Sequence, residues 1–207
     1  MADLAALKTR IASEINRSDL TTSIADAITT AITYCRSLRL EFNEVAATFA
    51  TVDGQQAYTT SIIPTDIAQI DMMQITSNGR ITPMDPMGYA DLKALTTATD
   101  INGEPSLYAW YAQKIHLYPI PDGIYTITIS YLQREAAPAN DADGTTVWTN
   151  AAEPLVRALA KKFLCRDVMR DPEGMALAQS AENEALAMLR AESLQLQDDG
   201  SPLSGVW

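Results

Sequence analysis

Leu4, Leu7, Ile11 and Ile15 recur at steps of three and four, the spacing that gathers side chains on one face of an α-helix. The stripe breaks at Asn16-Arg17-Ser18-Asp19, where a turn and a new cap are expected. It resumes in Leu20, Ile24, Ile28, Ala31, Cys35, Leu38 and Phe42. Two amphipathic helices are therefore predicted over residues 1–45. From Ala46 the period shortens to two. Tyr125, Ile127, Ile129 and Tyr131 alternate with Thr126, Thr128 and Ser130, as in a strand with one buried and one wet face. The preceding SLYAWYAQKIHLYPIPDG predicts two strands around a turn near Ala112-Gln113, Trp110 and Tyr111 approaching it and Ile115 and Leu117 leaving it. Asp53-Gly54, Asn78-Gly79 and Asp122-Gly123 offer the positive φ that tight hairpins require. A short helix is expected from Tyr89 to Thr97.

The segment EAAPANDADGTT reads as a polar connector, and beyond it the helical period returns. Asn150 with Glu153 fits a capping box, although Pro154 offers an alternative start. Leu155, Leu159, Phe163 and Val168 stripe this helix, Asp171-Pro172 stops it, and an Ala-, Glu- and Leu-rich helix follows from Glu173 to Gln197. The pattern predicts an α+β fold: an N-terminal helix pair (1–45), a central small β module with hairpins (46–135), a linker (136–149), a C-terminal helix pair (150–197) and an extended tail (198–207). Residues 1–197 are expected to form one compact domain.

Charge changes the picture in two ways. The 207 residues carry 15 basic and 26 acidic side chains, a net charge of −11, which disfavours tight binding to nucleic acid or acidic membranes. Residues 150–170 are basic and residues 171–207 acidic, as expected of two helices that fold back and pair their charges. No apolar run reaches the ~20 residues that cross a bilayer, and the N-terminus reads as an amphipathic helix rather than a signal peptide, so synthesis in a cytoplasm is expected. Cys35 and Cys165, far apart in helix-like segments, are expected as two buried thiols rather than a disulfide.

The usual chemistry finds little support. His116 is the single histidine, which excludes a two-histidine zinc motif within one chain. No G-x-S-x-G, G-x-G-x-x-G or G-x-x-x-x-G-K-[ST] occurs. In NDADG the glycine stands too early for an EF-hand loop, so a solvated loop is expected. Paired carboxylates are inevitable among so many acids, and Tyr108, Trp110, Tyr111, Tyr118, Tyr125 and Tyr131 could line a sugar cleft. These leave a peptidoglycan-degrading glycosidase or a carbohydrate-binding module as alternatives.

The segment GEPSLYAWYAQKIHLYPIPDGIYTITISYLQR, with EINRSDL, IADAITTAITYCRSLRLEF and the Tyr89-x-Asp91-Leu92 pattern upstream, resembles the head-to-tail adaptor, or tail accessory factor, family of tailed bacteriophages. The resemblance implies a structural virion protein without cofactor or catalysis. It is made in the bacterial host cytoplasm and sits at the head–tail junction. About twelve copies would form a ring beneath the portal protein and extend the DNA channel, passing DNA without specific binding and meeting later tail proteins. It places portal binding on the last helix and tail, at Leu194, Leu196, Pro202, Leu203, Val206 and Trp207, and subunit or tail contacts on the β module, at Trp110, Tyr111 and Tyr118. The tail itself is Gly- and Ser-rich with apolar anchors at Leu203, Val206 and Trp207. It can dock on the portal, on a neighbouring protein, or back on its own domain. In isolation a folded monomer or weak oligomer is expected, the ring forming on the portal.

Overall fold

In a computed structural model, which describes residues 3–98, 101–141 and 143–197, the elements run α1 (Leu4–Glu14), α2 (Thr21–Cys35), β1 (Glu44–Ala50), β2 (Ala57–Tyr58), β3 (Ile67–Ser77) and β4 (Arg80–Pro86), then α3 (Tyr89–Ala98), β5 (Leu107–Tyr111), β6 (Lys114–Tyr118), β7 (Thr126–Gln133), α4 (Glu153–Phe163) and α5 (Pro172–Gln197). The fold is α+β, with helices at both ends of the chain and a mixed sheet between them. Contacts divide it into two compact units: a helical one from the described residues up to Phe42 and from Glu135 onward, and a β unit of Asn43–Arg134. The two helix pairs, far apart in sequence, thus share one unit.

In the helical unit the Asp3 carboxylate caps α1, accepting the Ala6 amide at 2.7 Å. The stripe Leu4, Leu7 and Ile11 is buried against Ile24, Ile28, Ala31 and Cys35 of α2 and Leu155, Val156 and Leu159 of α4. The periodicity overshoots the end of α2, because the amides of Ser37 and Leu38 turn back to the Tyr34 and Cys35 carbonyls and close the helix at Cys35. Phe42 is instead placed edge-on against Trp148 at 5.6 Å. Trp148 lies in the expected linker (136–149), just past the polar connector, yet it is fully buried and its Nε1 donates to the Ala136 carbonyl at 2.9 Å. The capping box falls four residues before the expected one, with the Thr146 amide donating to Thr149 Oγ1 at 2.9 Å, and α4 starts at Glu153 with Pro154 in its first turn.

Beyond α4 the chain continues as a π-type turn, Leu164–Met169. Its wider spacing rotates the register, so Leu164 and Cys165 are buried while Val168, expected on the apolar stripe, is 44% exposed. Arg170 ends the segment at φ 55°, and Asp171 starts α5 by accepting the Glu173 and Gly174 amides at 3.1 Å each. Among the described residues, charge pairing between the last two helices is found at Lys162 and Glu182, 2.5 Å apart. Arg157 and Lys161 reach Glu14 of α1 instead, because the i, i+4 step on α4 brackets that carboxylate.

The β unit is a seven-stranded sheet in the order β1-β7-β3-β4-β5-β6-β2. All neighbours are antiparallel except β4 and β5, which pair in parallel through Asp85–Leu107 and Pro86–Tyr108, with α3 in the connection between them. Asn78-Gly79 closes the β3–β4 hairpin at φ 50° and 77°. Ala112 and Gln113 close β5–β6 at φ 51° and 58°, left-handed values without a glycine. Asp53-Gly54 and Asp122-Gly123 do not close hairpins, because β1 pairs with β7 and β2 with β6. Ile127, Ile129 and Tyr131 of β7 are buried as the alternation predicts, packed with Phe49, Tyr58, Met73, Ile75, Tyr108, Ile115 and Leu117.

Candidate functional site

His116 is half-buried with its ring 4.8 Å from that of Tyr89. Burial, with Lys114 and Lys93 nearby, pushes its pKa below the usual imidazole range and keeps it neutral near pH 7. Among the described residues no group of three or more His, Cys, Asp or Glu side chains could hold a metal ion. Cys35 and Cys165 are both buried and free, and burial, aided by the Glu182 charge, pushes the Cys35 thiol up to about 12. The acids of NDADG are bonded within the fold, one locally and one at long range. Asp143 accepts the Ala139 and Asn140 amides at 2.7 Å, and Asp141 pairs with Lys8 at 2.6 Å.

The aromatic residues do not converge on one cleft. Tyr108 and Tyr131 are core side chains, and Tyr118 is half-buried. The pleat of β5 sends Trp110, 40% exposed, to the same face as Tyr108, and Tyr111, 53% exposed, to the other. Trp110 and the edge of Tyr108 border one groove of about 300 Å³ with Ile67, Ile70, Pro86 and Met87, and the other aromatic residues lie outside it. Tyr111 instead stacks on Tyr89 of α3, ring centroids 4.1 Å apart and planes 7° from parallel. That stack escaped sequence reasoning. Tyr89 was legible only as the start of a helix, and nothing local points its ring at β5.

A second surface that the sequence does not flag lies at the far end of the β5–β6 hairpin. The Thr51 hydroxyl accepts the Tyr125 amide at 2.7 Å and donates to the Gly123 carbonyl at 2.9 Å. The Gly54 amide donates to Pro121, Ile120 to Ile101, and Gly103 to Ile120, at 2.8, 3.0 and 2.9 Å. These bonds lace three loops into one platform from which Val52, Ile101 and Ile124 project, Ile124 with 81% of its surface exposed.

On α5 the buried positions Ala178, Glu182, Ala185 and Leu189 form one face, and Leu177, Met188 and Leu194 remain exposed. Of the residues assigned to portal binding, Leu194 is therefore an exposed apolar side chain near the helix end. The Leu196 side chain and Pro202, Leu203, Val206 and Trp207 lie outside the described residues. No described helix is long and apolar enough to cross a membrane.

Exposed apolar groups set on rigid helices and laced loops, rather than converging titratable groups, make contact surfaces the leading features of this α+β chain. The SU10 adaptor protein family profile matches residues 2–205, nearly the whole sequence, and the chain belongs to that family. The match agrees with the resemblance to phage head-to-tail adaptors. No curated protein matches the chain.

Proposed function

We propose that this chain is the subunit of a ring added beneath a phage portal, extending the DNA channel and joining capsid to tail. The family match over residues 2–205 carries this reading. Its mechanism is assembly without catalysis or cofactor. Portal copies, about twelve in a closed ring, recruit one adaptor each through the end of α5 and the tail, with Leu194, Leu196, Pro202, Leu203, Val206 and Trp207 as apolar anchors. Burying each such side chain contributes on the order of 1.5–3 kcal/mol, and ordering the tail offsets much of that. Tails attached to one ring need not be individually tight, because the first contact raises the effective concentration for the rest. Trp110, Tyr111 and Tyr118 serve neighbouring subunits or later tail proteins. The net charge of −11 suits a conduit, since carboxylates repel passing phosphate whereas lysines would hold it.

Electron microscopy of the protein mixed with purified portal tests this directly. A new ring of density under the portal is expected. Deleting Gly200–Trp207 should leave the thermal melt of the free protein nearly unchanged and sharply weaken portal binding, with Trp207→Ala giving a milder form of the same defect. Absence of any ring, or peptidoglycan hydrolysis by the pure protein that one carboxylate substitution abolishes, would overturn the reading.

A further inference from the structure

We infer that the two ends of the β5–β6 hairpin are complementary, and that the Val52–Ile101–Ile124 platform of one copy docks on the Tyr111–Lys114 end of the next. The inference rests on the ring reading for its place in the virion, while its chemistry stands on the β unit alone.

The platform end is apolar with an acidic border. Asp53, Glu104 and Asp122 are exposed around it, and none forms an ion pair among the described residues. Asp122 accepts the Tyr125 hydroxyl at 2.6 Å. That bond, with partial desolvation and the charges of Asp122 and Glu104, pushes the Tyr125 hydroxyl up to about 12. Because the loops are tied by backbone bonds, little ordering cost remains when the apolar groups are covered.

The opposite end presents the reverse chemistry. Tyr111 lies flat on Tyr89 with its outer face open, and Lys93, one turn along α3, and Lys114, beside the hairpin turn, are both exposed. Lys114 is the cross-strand partner of Tyr111, and Lys93 follows Tyr89 by one helical turn, so both flank the same aromatic ledge. They are two of the only four basic residues in 43–134, the others being Arg80 and Arg134, so positive charge in this acidic unit is gathered where the flat aromatic surface is. Leu107 pairs with Tyr118 at the platform end and Tyr111 with Lys114 at the other, a separation of about 13 Å along the strands.

An apolar platform with an acidic rim fits an aromatic ledge flanked by lysines, and both are on this chain. Two platforms, or two ledges, would repel each other through like charges, so a two-fold dimer through either end is disfavoured. A copy that docks through one end leaves its other end open. That is the heterologous contact which closes into a ring when the rotation per subunit allows.

The test uses full-length chains carrying Gly123→Cys, beside Ile124, or Gln113→Cys, beside Tyr111, so that both contact side chains are kept, mixed at high concentration under mild oxidation; the native Cys35 and Cys165 are buried and do not compete. Cross-links between the two kinds of chain are expected. Lys93→Glu with Lys114→Glu should lower their yield about tenfold, as should Asp53→Lys with Glu104→Lys. Mixing the two charge-reversed chains should restore it, a rescue that misfolded variants cannot produce. Cross-links confined to one kind of chain, a yield indifferent to charge reversal, or no cross-link at all overturns the inference. Ring formation on the portal is scored separately. A cross-linked contact without a portal ring removes the ring reading and keeps the contact, and a portal ring from chains that never cross-link does the reverse.

Discussion

The helical unit and the β unit handle charge in opposite ways. In the helical unit, carboxylates are drawn into the packing. Glu153 and Glu182 are both buried, Glu182 against Lys162 and Glu153 against Arg157 at 3.2 Å, and Glu14 sits between Arg157 and Lys161. The β unit builds its core from apolar and aromatic side chains and leaves Lys93, Lys114, Asp53 and Glu104 exposed at its ends. Paired charges inside a unit fix which helices meet. Unpaired charges at its edges remain available to a partner, which makes the β unit the place to look for specificity between copies.

The largest expected effect breaks the contrast between two tryptophans. Trp148→Ala should destabilise the helical unit by about 3–5 kcal/mol, since it empties a fully enclosed site and orphans the Ala136 carbonyl. Trp110→Ala, at a ring 40% exposed, should cost only about 1–2 kcal/mol. Chemical denaturation followed by hydrogen exchange in each unit separates the two, and equal losses would contradict the placement of Trp110 at a groove edge. Next comes the buried pair. Glu182→Ala should cost about 2–3 kcal/mol by stranding the largely buried Lys162, whereas Glu182→Leu with Lys162→Met should be near neutral. A double variant as unstable as the single one would mean that the pair itself, not the stranded lysine, supports the helices.

A smaller gain is expected in the β unit. Ala112 occupies the left-handed region at φ 51°, and Ala112→Gly should stabilise by roughly 0.5–1 kcal/mol, readable as a rise in denaturation midpoint. The smallest effect is titratable. Burial raises the Glu14 pKa, but hydrogen bonds from Lys161 and Arg157 outweigh it and leave the group below its ordinary 4.5. A depressed carboxylate stabilises the folded state above its unfolded pKa, and that contribution is lost as pH falls from 4.5 through the lower folded value. Its partial exposure to water keeps the contribution under about 1 kcal/mol. Glu14→Gln should therefore lower stability slightly near pH 7 and flatten the acid limb below pH 4.5, seen in melts across pH.

Most helices and strands were legible because their signals are local. The step of three and four through Leu4, Leu7 and Ile11 placed α1, the alternation through Ile127, Ile129 and Tyr131 placed β7, and Asn78-Gly79 marked the turn that closes β3 on β4. Those features follow from backbone geometry within a few residues and needed no knowledge of the rest of the chain. Of the candidate contact residues, the sequence could propose Trp110, Tyr111 and Leu194, but not the platform of Val52, Ile101 and Ile124, which comes from three loops separated by dozens of residues.

What the sequence by itself determined is the order of helices and strands, the acidic balance and the family. The tertiary structure alone decided the partners. Nothing near Glu14 in the sequence points to its partner, Arg157, 143 residues away. Trp148 stood in the expected linker and became a core residue, and Asp53-Gly54 looked like a hairpin but joins strands that pair elsewhere. The reason is physical. Periodicity states that a side chain has a buried face, but which surface covers that face depends on how distant segments pack, and only the folded chain brings them together.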